Sequence, residues 1–139
     1  MQTGLIFNAF VSSLIVLIAW SVFLSIWAKR REDKLATAFA AVWLTFSFIW
    51  VFNAIRILFA FLGRPGLDQL FFKIDQIALF THVVALGYFI FLKVFNKNWL
   101  NNLILVSFSL LGIIALFFIF TKGVALTQVS YFSTKYSIK

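Results

Sequence analysis

Asp75 and His82, the chain's single histidine, are the two residues here with the widest chemical range. A carboxylate and an imidazole can pass protons, hold a metal or orient a nucleophile. Both lie in one apolar stretch, FFKIDQIALFTHVVALGYFIF, over 71–91. Seven residues is close to two helical turns, so both project from one face of a helix. Arg56 and Asn53, three apart in the preceding apolar stretch, form a second such face. Beyond these the inventory is thin. There is no HExxH, no GxSxG, no paired carboxylates and no glycine-rich phosphate loop. A serine–histidine–aspartate triad can be drawn, but with serine in three of the four apolar stretches such a drawing carries little information. One histidine and one nearby aspartate are too few for a metal site. With no cysteine, thiolate catalysis and cysteine-ligated metal centres are excluded. We therefore expect a protein that is not an enzyme, with no resident cofactor or metal. A haem or chlorin held through His82 as axial ligand is the alternative.

The elements that must position these groups follow from composition. Of 139 residues, 63% are hydrophobic and 12% charged, with a mean hydropathy of +1.04. A soluble domain of this size lacks the core to hide so much apolar side chain, so lipid is the solvent. The apolar runs are continuous rather than alternating, which specifies helices and not a barrel. We expect an all-α integral membrane protein, a bundle of four transmembrane helices with its N-terminus outside. The expected spans are 5–27, 35–62, 71–95 and 100–120, in one transmembrane domain over 1–122. Residues 123–139 form a polar C-terminal tail, too short to fold alone.

Orientation rests on charge. No charge precedes the first span, and Lys29, Arg30, Arg31 and Lys34 follow it against Glu32 and Asp33. Basic residues close to span ends stay cytoplasmic, so this loop lies inside. Lys93 and Lys97, among the asparagines at 96, 98, 101 and 102, mark a second inside loop. Trp27 and Trp99 fall at the same interface, where indoles are enriched. The formal net charge of +8 thus reads as membrane topology, and no nucleic-acid partner is expected. Gly63-Arg64-Pro65-Gly66 is the clear helix breaker, with Leu67-Asp68-Gln69 as a turn or helix start and Asp68 as the cap of the third helix.

Isolated charges at membrane depth are costly, and pairing is the usual remedy. Arg56 and Asp75 lie at similar depth near the outer ends of their spans and are expected to pair, with snorkelling of Arg56 to the headgroups as the rival. Lys73 points elsewhere around its helix. His82, near mid-membrane, is expected as a neutral imidazole bonded to a serine, threonine or carbonyl. Close helix packing is expected at Ser21 and Ser25, at Ala36, Ala40 and Ala41, and at Ser107, Ser109 and Gly112. Ser12 and Ser13 are expected to bond back to their own helix.

Three function classes fit. The first is a non-catalytic membrane subunit or sensing domain that packs with partner helices, in a complex or homo-oligomer, or binds an apolar, lipid-like ligand. The second is a small oligomeric transporter or channel using Asp75, His82 and Arg56. The third is the haem- or pigment-binding subunit.

Overall fold

A computed structural model describes residues 2–95, 98–122, 124–129 and 134–138. Asn96, Lys97 and residues 123, 130–133 and 139 of the expected tail lie outside the described residues. The membrane part is a bundle of four helices: α1 Gln2–Arg30, α2 Lys34–Phe61, α3 Pro65–Phe95 and α4 Asn98–Lys122. All four are long and apolar enough to cross a membrane. Each packs on its neighbour in the chain, α1 on α2, α2 on α3 and α3 on α4. The short connections force that order, because two or three residues between helices leave no reach beyond the adjacent antiparallel position. α1 and α4 therefore lie at the two ends of the series, without an extensive interface between them.

Local chemistry fixes the breaks. Asp33 caps α2, its carboxylate accepting from the backbone N–H groups of Leu35 at 2.9 Å and Ala36 at 3.4 Å. At the other end Gly63 adopts φ +66°, the left-handed conformation that glycine enters without a Cβ penalty. Gly63 N–H then bonds Ala60 O at 3.2 Å and Arg64 N–H bonds Phe59 O at 2.9 Å, which closes α2 in a Schellman arrangement. Pro65 opens α3 at the first helical position, where its missing N–H is unneeded. The breaker is thus confined to Leu62–Arg64. The helix starts six residues before the expected 71, and Leu67-Asp68-Gln69 is helix and not a turn. Asp68 consequently sits inside the first turn of α3 and does not cap it.

The packed face of α1 repeats every seven residues through Leu5, Ser12 and Ala19, which are 3%, 0% and 0% exposed. Ala38, Ala40 and Ala78 are buried in α2 and α3. Small residues let helix backbones approach when lipid supplies no hydrophobic drive. Ser21 and Ser25, expected on such a seam, instead face outward and donate to Leu17 O and Ser21 O of their own helix. Ala19 does that work on the opposite face. Ser107 likewise faces out and bonds back to Leu103 O. On the α3–α4 seam Gly112 meets Phe80 and Gly87 meets Phe108, with 3.6 and 3.3 Å from an added Cβ to the nearest ring-bearing side chain.

Beyond α4 the backbone forms two antiparallel strands, β1 Val124–Val129 and β2 Thr134–Ile138, paired from Val124–Ile138 to Val129–Thr134 with an irregularity between Leu126 and Gln128. Two segments of the expected polar tail thus pair with each other.

Candidate functional site

The polar groups at membrane depth gather along the α2–α3 seam. Near its α2 C-terminal end, Arg56 lies between two carboxylates. Its Nε is 3.4 Å from Asp68 Oδ1 and its Nη1 is 3.5 Å from Asp75 Oδ2. Arg56, Asp68 and Asp75 are 8%, 1% and 8% exposed. The guanidinium also stands over the Phe72 ring, 4.8 Å from its centroid. The Arg56–Asp75 pair is therefore formed, and snorkelling is ruled out by burial. The sequence reading missed Asp68, treated there as a cap. A signal was present: Asp68, Asp75 and His82 are seven apart in turn, so one stripe of α3 carries all three. That stripe became visible only once Pro65, not residue 71, was the start of the helix.

One guanidinium facing two carboxylates changes the electrostatics from a simple pair. Removing Arg56 takes the shared cation from two buried carboxylates, whereas removing one aspartate leaves a one-to-one pair. Asp75 Oδ1 is buried without a hydrogen-bond partner in the structure. Lys73, the local rival, points to α4, its Nζ 5.4 Å from the Phe120 ring centroid.

Further along the seam His82 Nδ1 is 3.1 Å from Thr45 Oγ1, and the imidazole packs against Phe46 at a centroid distance of 5.6 Å. Thr45 Oγ1 also donates within its own helix, toward Ala41 O at 2.9 Å or Val42 O at 3.0 Å. A hydroxyl has one proton. If it bonds a carbonyl, the Thr45 oxygen accepts from His82 Nδ1–H. Asn53 completes the set from the other side of α2, its Nδ2 donating to Ser12 Oγ at 3.1 Å. Ser12, expected to bond back to its own helix, is instead the α1 partner of that bond. Ser13 does bond back, to Ala9 O. Among the described residues no three His, Cys, Asp or Glu side chains cluster as metal ligands.

The basic residues at this end of the bundle border three cavities. Lys29 and Arg30, with Lys93 of α3, border one of about 630 Å³. Arg31 and Lys34 border another of about 620 Å³, with Tyr88 and the asparagines 98, 101 and 102. In the second, Asn101 is 1% exposed and neither its Oδ1 nor its Nδ2 has a hydrogen-bond partner among the described residues. Lys34 also shares a third cavity, of about 460 Å³, with Asp33 and with Lys93 of α3. Compared with family models, curated proteins and solved structures, the chain matches none.

Proposed function

We propose that the chain is a non-catalytic polytopic membrane subunit or sensing domain, whose outer helices meet partner helices or lipid. One observation supports this above the others: the polar groups at membrane depth join consecutive helices. Asn53 and Ser12 tie α2 to α1. Arg56 with Asp68 and Asp75, and Thr45 with His82, tie α2 to α3. Groups engaged in this way fix helix register. A transport pathway asks instead for ionisable groups presented to a water-filled passage. On this reading the basic loops face the cytoplasm, with both termini of the membrane domain outside.

The purified chain, reconstituted into vesicles enclosing a pH-sensitive dye, tests it. No proton flux above that of empty vesicles is expected, and no visible absorption band. Flux abolished by Asp75→Asn or His82→Asn would overturn the reading in favour of transport. A Soret or chlorin band lost with His82→Asn would overturn it in favour of pigment binding. Cysteines placed at Asp33 and Gly66 check the orientation: the first should label from the cytoplasmic face and the second from the other.

A further inference from the structure

The larger cavity at the basic loop combines two surfaces that rarely serve one purpose by accident. Its mouth carries Lys29 and Arg30 from the last turn of α1 and Lys93 from the last turns of α3. Its wall is apolar, built from Ile26, Leu35, Phe39 and Phe89. Phe39 and Phe89 close that wall across α2 and α3, with ring centroids 5.1 Å apart. Among the described residues none of the three cations forms an ion pair. The one acidic group at the rim, Asp33, is held by the N-terminal N–H groups of α2 and turned to capping. The other acidic loop residue, Glu32, borders the opposite cavity. At about 630 Å³ the space falls in the range of small-molecule sites, about 300–1,000 Å³.

We infer that this cavity is a binding site for one anionic phospholipid, with its phosphate between Lys29, Arg30 and Lys93 and the start of an acyl chain against Phe39 and Phe89. The division of labour follows from where the residues sit. The cations lie at the ends of spanning helices, which places them at headgroup level. The aromatic wall runs from there into the span. A free phosphate would use the cations and leave the wall without a role, whereas a zwitterionic lipid would bring a cationic group against three others. Each basic residue near an anionic lipid surface contributes about fivefold to binding. Three converging on one phosphate therefore specify charge as well as shape. The site goes beyond the subunit reading and needs no protein partner.

Native mass spectrometry of the detergent-solubilised full chain tests it, titrating phosphatidylglycerol and phosphatidylcholine of the same acyl composition. One phosphatidylglycerol should be retained per chain, at least about tenfold tighter than phosphatidylcholine. Lys93→Gln, an exposed position, should weaken phosphatidylglycerol about fivefold, and K29Q/R30Q/K93Q should erase the preference. The control Arg31→Gln, at a cation that borders the other cavity, should change it less than about twofold. Equal retention of the two lipids by the unmodified chain overturns the proposal without recourse to any variant. A loss from Arg31→Gln as large as that from Lys93→Gln overturns it in favour of diffuse surface charge. Displacement of the lipid by an equal concentration of inorganic phosphate overturns it in favour of a simple anion site.

Discussion

The α2–α3 and α3–α4 seams solve one problem in opposite ways. Neither has a hydrophobic drive, because lipid is as apolar as the packed side chains. The α2–α3 seam uses directional polar contacts at two depths, Arg56 with its two aspartates and His82 with Thr45. The α3–α4 seam uses shape, with Gly87 beneath Phe108 and Gly112 beneath Phe80. α4 has no ionisable residue over 98–121 and leaves Leu103, Leu111, Ile113 and Phe117 more than half exposed. The first seam sets register between particular residues. The second tolerates any pair of surfaces that fit. The α2–α3 pair therefore forms the rigid centre, and α4 is the helix most readily exchanged for contact with lipid or a partner.

The sharpest way to break this contrast is Arg56→Met. It removes the guanidinium that two buried carboxylates share and should cost about 3–5 kcal/mol, measured by SDS titration in mixed micelles with tryptophan fluorescence. Asp75→Asn should cost far less, about 1 kcal/mol, because Arg56 keeps Asp68. An equal cost for the two would show an ordinary one-to-one pair, and the double variant R56M/D75N should fall well short of additivity.

Next in size is Gly87→Leu, which drives a large side chain into Phe108 and should cost about 1–3 kcal/mol in the same titration. Gly112→Ala is its counterpart. There an added methyl meets Phe80 at 3.6 Å, an ordinary contact, while the helix gains propensity. That variant should be neutral or slightly stabilising. Loss of both to a similar degree would mean that α4 is held as tightly as α3.

Smaller effects separate the polar contacts from one another. A double-mutant cycle on Ser12→Ala and Asn53→Ala should give a coupling of about 0.6 kcal/mol, typical of interhelical hydrogen bonds in a membrane. His82→Asn should lower stability by about 1 kcal/mol or less, since asparagine keeps a hydrogen-bonding group for Thr45. Ser107→Ala, whose hydroxyl bonds only its own helix, should stay within about 0.5 kcal/mol of the unmodified chain.

Much of this architecture is written in composition and periodicity. Continuous apolar runs require spanning helices, because a bilayer leaves no other way to satisfy the backbone. A charge at membrane depth requires a partner, so residue type and depth in the sequence already direct Arg56 and Asp75 to each other. Ala40 and Gly112 marked close packing by size alone. What tertiary structure decided was which face each helix turns inward. Serine is equally at home bonding its own backbone or a neighbour, so Ser12 and Ser13, adjacent in sequence, took opposite roles because Ser12 is buried beside Asn53 of α2 and Ser13 is exposed. Asp68 reads as an ordinary helix cap until Pro65 is known to start α3, and only the fold then brings it to Arg56. The basic loop reads as one orientation signal, yet the fold sets Lys29 and Arg30 on one cavity and Arg31 on another, with Lys34 beside Lys93 between them. Type and spacing state what a residue needs; only the approach of a second helix states which neighbour supplies it.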